Sequence, residues 1–216
     1  RGLWTRLQED RAGDETSVAL LVALSMQCRQ GVPEAVRTGL RGLVSTGLLA
    51  GRRHGAIVQA QAALALARLA DVDAAGVFLG ILKGRSQSLE VRRSAILALG
   101  VLAPRLDEVR RVSAIDARVS HARRGDPDTT GLAWITVGRV LAADLADGSM
   151  ALLTRTAAAD GLADVAARGA HEIRPFAALG LSLAAEGRGK ASDLPGFVPL
   201  RARTLALLRD GAVDEG

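Results

Sequence analysis

The chain has 216 residues, of which 49% are hydrophobic and 24% charged, and this composition lies outside the disordered class and allows a sizeable buried core. Aromatic residues make up only 2% and tyrosine is absent, so we expect a core of aliphatic and small side chains, which disfavours an all-β domain. The net charge is +5 and nearly all basic residues are arginines, a bias that a GC-rich genome produces without selection, so charge alone does not predict nucleic-acid binding.

Segments with a helical period follow one another from the N-terminus. The first is "TSVALLVALSMQC", from Thr16 to Cys28. The second, "PEAVRTGLRGLVSTGLLAG", places Pro33 in a first-turn position, and we expect this helix to stop at Gly51. The third, "IVQAQAALALARLA" (Ile57 to Ala70), is apolar around much of its circumference, which is typical of a helix buried between neighbours.

The following segments carry capping signals. "VDAAGVFLGILKG" begins beside Asp71 and Asp73, either of which can cap it, and ends at Gly84. "SLEVRRSAILALGVLA" opens on Ser88, a polar cap. "DEVRRVSAIDARVSHARRG" finishes in basic residues and glycine, as a helix C-terminus favours. Asp126 followed by proline then predicts the start of another helix, and "EIRPFAALGLSLAA" is the last of the series.

The apolar helices are copies of one another. Ile57 to Ala70 aligns with Glu90 to Ala103 at an offset of 33 residues (90 minus 57), and Glu172 to Ala185 follows the same template, with weaker copies at Thr129 to Ala142 and Thr16 to Cys28. An alanine recurs in four of the copies, and we expect close helix contacts there: Ala62, Ala95, Ala133 and Ala177. Each predicted unit is an outer helix, a short turn and an inner helix that packs on both neighbouring units.

The segment "DAAGVFLGILKGRSQSLEVRRSAILALGVLA" (Asp73 to Ala103) resembles a HEAT repeat, whose second helix typically carries Val-Arg, then Ala, then Ala-Leu-Gly. The resemblance, which extends to the repeats of phycobilisome lyases, implies an all-α fold, an α-solenoid (alpha-alpha superhelix) of about five HEAT-like hairpins. We expect residues 1–216 to form a single repeat domain, a fragment of a longer chain. The resemblance also implies that Arg92 and Arg174 are structural signatures that pair across repeats; Gln59 and Thr130 occupy this place in the other copies.

No motif in the sequence indicates catalysis, a metal or a cofactor. Cys28 is the only cysteine, which excludes a disulfide framework or a Cys-x-x-Cys site. His54 and His121 lie beside arginines in turn-like positions where we expect solvated side chains, and the stretch at His171 lacks the second histidine of a zinc motif. We find no nucleophile motif, phosphate loop or small-molecule substrate signal. The apolar runs are too short to span a membrane, and we expect a cytoplasmic protein.

Two enzyme classes occur on HEAT-like architectures, DNA glycosylases for alkylated bases and phycobilisome-type bilin lyases. The glycosylases use tryptophans and an aspartate in a basic groove. Here Trp4 and Trp134 lie far apart in the chain, and Trp134 occupies an inner-helix position that favours a core role. Asp144 is the nearest following aspartate and belongs to a different turn. We therefore expect a protein that is not an enzyme.

The sequence favours a protein-protein interaction scaffold that binds its partner along the inner surface. The residues expected to line that surface are the polar positions in the first turns of the inner helices: Gln59, Arg92, Arg93, Thr130 and Arg174. The alternative is a nucleic-acid-binding protein, similar to the DNA glycosylases, whose arginine clusters track phosphates. The residues of that alternative are Arg52, Arg53, Arg92, Arg93, Arg123 and Arg124.

Overall fold

The protein is described from a computed structural model covering residues 2–9, 13–27, 31–84, 86–122 and 126–186. The internal contacts divide the chain into two compact units. Unit 1 is Arg1–Arg105 and unit 2 is Leu106–Gly216.

The described residues are mostly helical, which confirms the all-α prediction. In unit 1 the helices are α1 (Leu3–Glu9), α2 (Asp14–Gln27), α3 (Glu34–Thr46), α4 (Ala56–Arg68), α5 (Ala74–Lys83) and α6 (Leu89–Leu102), and a 3₁₀ turn follows at Ala103–Arg105. In unit 2 they are α7 (Glu108–Ala122), α8 (Pro127–Asp147), α9 (Leu152–Arg168) and α10 (Arg174–Glu186). The strands in the described part are β1 (Leu48–Leu49) and β2 (Arg52–Arg53), which form one antiparallel hairpin.

Local signals set the start of two helices as predicted. The hydroxyl of Ser88 accepts a hydrogen bond from the Val91 N–H at 3.4 Å and caps α6. The carboxylate of Asp126 accepts from the Thr129 N–H at 3.0 Å and caps α8, with proline in the first turn. Each cap satisfies a backbone donor that the helix itself leaves without a partner.

The prediction that α3 runs to Gly51 is wrong, because the helix ends four residues earlier, at Gly47. Gly47 has a φ of 73°, a left-handed conformation that stops a helix. The chain then forms the β1–β2 hairpin, in which Leu48 lies opposite Arg53. Its turn residues, Ala50 and Gly51, both have positive φ, as the tight two-residue turns of hairpins require.

In unit 1 the helices α4 and α6, each the second of a helix pair, pack against each other. α4 packs against α2 on one side and α6 on the other, while α3 packs on α4, α5 packs on α6, and α3 and α5 also contact each other. The alanines that the repeat predicts to be close contacts, Ala62 on α4 and Ala95 on α6, are fully buried. The two most similar copies of the sequence repeat are thus neighbours in space.

Unit 2 is arranged around α8, which packs against α7, α9 and α10. Ala133 and Ala177 are buried as predicted. The α8–α10 contact is closest at Gly138 and Gly180: a Cβ added at Gly138 would collide with the backbone of Gly180, and one added at Gly180 would lie 2.6 Å from the carbonyl oxygen of Trp134. The two helices therefore meet backbone to backbone.

Arginine–aspartate pairs hold helix ends in both units. In unit 1 the Arg41 guanidinium on α3 donates to both carboxylate oxygens of Asp71, at 2.7 and 3.2 Å. In unit 2 Arg111 on α7 donates to both oxygens of Asp147 at 2.7 Å. The buried Arg155 on α9 also donates to the buried Asp144 on α8. These side chains account structurally for part of the arginine content.

No helix within the described ranges combines the length and apolar character that crossing a membrane demands.

Candidate functional site

One end of unit 1 brings together several of the predicted site residues. The Gln87 side chain, just before α6, donates to the carbonyl oxygen of Ser45 near the end of α3 at 3.0 Å. A Cβ added at Gly47 would lie 2.9 Å from Nε2 of Gln59, in the first turn of α4. The β1–β2 hairpin and the beginnings of α4 and α6 therefore lie at one end. We call the hairpin residues 48–53 and the first turns of α4 and α6, 56–59 and 89–93, the unit 1 end surface.

Large apolar side chains are exposed on the unit 1 end surface. Leu48 of the hairpin is 43% exposed, Ile57 in the first turn of α4 is 60% exposed, and Leu89 in the first turn of α6 is 41% exposed. Single exposed apolar residues are normal on any protein, but several of them close together mark an interaction surface.

The predicted polar residues of unit 1 belong to the same first turns and hairpin as these apolar side chains. Gln59 is half-buried and donates weakly to the carbonyl oxygen of His54 at 3.4 Å. Arg92 and Arg93 are partly buried, and the Nε of Arg92 is buried without a hydrogen-bond partner among the described residues. Arg52 and Arg53 form β2 of the hairpin. One surface therefore holds residues from both predicted sets.

The remaining predicted site residues are not brought to this surface. Thr130 belongs to unit 2 and is only 3% exposed, so it is not an accessible polar position as expected. It lies next to Gly131, against which Phe176 of α10 packs. Arg174 is exposed in unit 2, where its Nε donates to the carbonyl oxygen of Gly169 at 2.8 Å and bridges the turn between α9 and α10. Arg123 and Arg124 lie outside the described residues.

Unit 2 contains a cavity of about 930 Å³ that is open to solvent, with Asp116, Leu153 and Asp164 exposed at its edge. It lies between α7 and α9, with α8 as its floor and the turn before α10 at one side. The middle of the wall from α9 consists of the small residues Ala157, Ala158 and Gly161, while Val112 and Ile115 line the cavity from α7. A cavity of this size and apolar character is typical of a ligand site.

A few polar groups face the cavity among these apolar walls. Trp134 and Thr130 come from α8 and Thr154 from α9. Asp116 of α7 and Asp164 of α9 are the titratable residues among the described lining residues. Asp164 accepts from Arg168 on its own helix in an exposed pair, whereas Asp116 makes no hydrogen bond or ion pair within the described part of the chain.

The sequence predicted neither aspartate of the cavity as a site residue. Asp116 and Asp164 belong to different helices and follow no common motif, so nothing in their spacing signals that they share a cavity. Trp134, predicted to have a core role, is partly exposed and borders this space. No aspartate is next to Trp134 in the sequence, but in the fold Trp134 lines the same cavity as Asp116 and Asp164.

The histidines differ from expectation in one case. His54 is buried, 5% exposed, and not a solvated turn residue. His171 is exposed as expected, while the His121 side chain and Cys28 fall outside the described part. Over the described ranges, no group of His, Cys, Asp and Glu is placed to hold a metal ion.

No family model, no curated protein and no solved structure matches the chain at a significant level. Function is therefore inferred from the residues of the unit 1 end surface and of the unit 2 cavity.

Proposed function

We propose that this chain is a HEAT-like helical-repeat protein, an α-solenoid of about five hairpins, that binds another protein through the unit 1 end surface. Two features support the repeat architecture. The helices related by the sequence repeat pack side by side within each unit, α4 with α6 and α8 with α10, and each has the preceding helix packed against it. The segment from Asp73 to Ala103 also resembles a HEAT repeat in sequence.

The observation that carries the proposal is the exposure of Leu48, Ile57 and Leu89 at the end that holds the arginines. Burying apolar surface stabilises a complex by about 25 cal/mol per Å² removed from water, and only a partner with apolar groups of its own gains this. Nucleic-acid phosphates do not supply such groups. The mixture of apolar side chains and arginine favours a protein partner.

The charge of the unit 1 end surface defines the partner further. Arg52, Arg53, Arg92 and Arg93 place positive charge around the apolar residues. Carboxylates on a partner would complement this positive charge through charge-assisted hydrogen bonds. We infer a partner segment with apolar residues flanked by Asp or Glu.

Partner capture with paired variants tests this proposal. The wild type and an Ile57→Asn/Leu89→Asn variant are used to recover partners from nuclease-treated lysate of the source organism, and captured proteins are compared by mass spectrometry. The control is Val109→Asn/Leu179→Asn, which alters two residues of unit 2 that are 74% and 49% exposed. We expect a protein that the wild type and the control retain and the Ile57/Leu89 variant loses.

Two outcomes contradict the proposal. In one, nuclease treatment abolishes all capture, which assigns the surface to nucleic acid and so to the arginine-cluster alternative. In the other, the Ile57/Leu89 variant retains every partner of the wild type. A direct titration with duplex DNA at two salt concentrations adds an independent measure, because binding through phosphates weakens steeply with salt. We expect no submicromolar duplex binding.

A further inference from the structure

We propose that the cavity of unit 2 is a binding site for a hydrophobic organic cation, with Asp116 as its counter-charge. This inference concerns a different surface from the unit 1 end surface and does not depend on the proposed protein partner. It follows from the size of the cavity, from its walls and from the sign of its charge.

The cavity has the volume and lining of a small-molecule site. Ligand sites span about 300 to 1,000 Å³ and combine apolar walls with a few polar groups, and the cavity of about 930 Å³ fits this description. Its space arises because α9 presents very small residues. Gly161 lies over Trp134, where even an added Cβ would be 4.0 Å from the ring. The indole is therefore left partly uncovered and available as an apolar wall.

The charge of the cavity is opposite to that of the whole chain. The chain has a net charge of +5, yet the titratable residues among the described lining residues are both aspartates. Asp116 is exposed and has no ion-pair or hydrogen-bond partner among the described residues, so its carboxylate is accessible to a ligand at the edge of the cavity. An anion is repelled by this arrangement and a neutral molecule gains nothing from it. A cation is attracted to it.

Trp134 strengthens the preference for a cation with an apolar body. Among aromatic side chains, tryptophan has the most favourable face for a positive charge, and this attraction adds to that of a carboxylate. A hydrophobic cation places its apolar groups against Trp134, Val112 and Ile115 and its charge towards Asp116. A strongly hydrated inorganic cation cannot use the apolar walls.

Arg168 competes with a cationic ligand for the carboxylate of Asp164. It pairs with Asp164 on the surface of α9, and its side chain is 80% exposed. While this pair exists, Asp164 attracts a ligand weakly. Removing the Arg168 charge frees the Asp164 carboxylate, so an Arg168→Gln variant is expected to bind a cation more tightly than the wild type.

Two ions of the same shape and opposite charge test the proposal, tetraphenylphosphonium and tetraphenylborate. The chain has two tryptophans and no tyrosine, so a Trp4→Phe variant leaves Trp134 as the dominant emitter. Each ion is titrated against the Trp134 fluorescence of this variant. We expect tetraphenylphosphonium to change the emission and to bind at least about tenfold more tightly than tetraphenylborate.

Substitutions in the same Trp4→Phe background assign the preference to residues. Asp116→Asn is expected to weaken tetraphenylphosphonium binding by about threefold to fivefold, and Arg168→Gln to strengthen it by about twofold to threefold, the range of partly exposed ion pairs. The control is Glu15→Gln/Glu186→Gln, which removes two exposed carboxylates outside the described lining and is expected to leave the affinity unchanged. Thermal unfolding followed by Trp134 checks that each variant is folded.

The proposal is overturned by any of three results. These are equal or stronger binding of tetraphenylborate, a charge preference that is undiminished in Asp116→Asn/Asp164→Asn, and no response of Trp134 to either ion at millimolar concentration. None of these results bears on the protein partner of unit 1, so the two proposals stand or fall separately.

Discussion

Both units contain pairs of packed helices, in which α3 and α5 of unit 1 and α7 and α9 of unit 2 are the first members. The two units differ in the side chains that these first helices carry. In unit 1 α5 buries Phe78, Ile81 and Leu82, and α3 and α5 contact each other. In unit 2 the corresponding wall of α9 presents Ala157, Ala158 and Gly161, and a cavity remains between α7 and α9. The comparison teaches that the volume of a few side chains between neighbouring helices decides whether the helices leave a pocket or form a filled core.

The second helices of the two units also meet differently. In unit 1 the buried faces of α4 and α6 carry alanine, at Ala62 and Ala95. In unit 2 α8 and α10 cross at Gly138 and Gly180 with no room for a side chain. In unit 2 the unfilled space lies between the first helices, α7 and α9, and not between the second helices, α8 and α10.

Emptying the core of unit 1 tests the role of side-chain volume most strongly. Phe78→Ala is expected to lower the free energy of unfolding by about 3–5 kcal/mol, because Phe78 is fully buried and its removal leaves a cavity. Urea unfolding followed by Trp4 in a Trp134→Phe background measures the loss. Phe78→Leu is the control and is expected to cost less than about 1.5 kcal/mol. A loss under about 1 kcal/mol for Phe78→Ala would show that this volume is not important in unit 1.

Adding a methyl group at the glycine crossing tests the packing of unit 2. Gly138→Ala is expected to cost about 1–3 kcal/mol, because its Cβ collides with the Gly180 backbone and the helices must separate. The matched control in unit 1 is Gly76→Ala, where an added Cβ meets no atom within 4 Å and where we expect a gain of up to about 1 kcal/mol. Urea unfolding gives both values. Two changes of the same sign and size would remove the distinction between these sites.

Filling the cavity of unit 2 is the reverse of emptying unit 1. Ala157→Leu is expected to raise the free energy of unfolding by about 1 kcal/mol, since the new side chain moves from water into an apolar space that is already present. Ala157 and Ala167 are both exposed on the same helix, but Ala167 is outside the described cavity lining. Ala167→Leu is therefore the control and is expected to change stability by less than about 0.5 kcal/mol. Thermal unfolding followed by Trp134 compares them. Destabilisation by Ala157→Leu would mean that the cavity has no room for the side chain.

The Arg111–Asp147 pair is expected to make the stability of unit 2 depend on pH, and this is the smallest of the expected effects. The hydrogen bonds from the Arg111 guanidinium hold the pKa of Asp147 below its ordinary value of 3.8. This pair therefore contributes stability above about pH 5, and the contribution is lost as the pH falls through the folded-state pKa. Asp147→Asn is expected to flatten the decline in stability between pH 5 and pH 3. Because the side chain of Asp147 is 46% exposed, the change is small, and equal slopes in both proteins would contradict it.

The sequence predicted the parts of the fold that depend on local chemistry. Ser88 and Asp126 were predicted as caps because a cap needs only a side-chain oxygen next to a helical segment. The end of α3 was misplaced because two glycines, Gly47 and Gly51, both offer a stop signal, and the hairpin between them has strands of two residues each. A pattern this short has no detectable period.

The sequence could predict little of the candidate sites. Gln59, Arg92 and Arg93 were selected from the repeat and are partly buried in the first turns of α4 and α6, whereas Thr130 was selected by the same alignment and is buried. An alignment of repeats fixes the register of a residue but not what covers it. The cavity is present because the small residues Ala157 and Gly161 do not fill the space beside them. The sequence of a single segment does not show whether the space between two helices is filled.

The alanine and glycine contacts between the second helices also have a consequence for conformational entropy. An alanine has no rotamers to lose on burial, whereas a long side chain gives up to about 2 kcal/mol of rotamer freedom when it is fixed. Residues such as Ala62 and Ala95 therefore bury little area but order almost nothing when α4 and α6 come together. The alanine contacts of α4 and α6 therefore form at a low side-chain entropic cost, which offsets the small area that each contact removes from water.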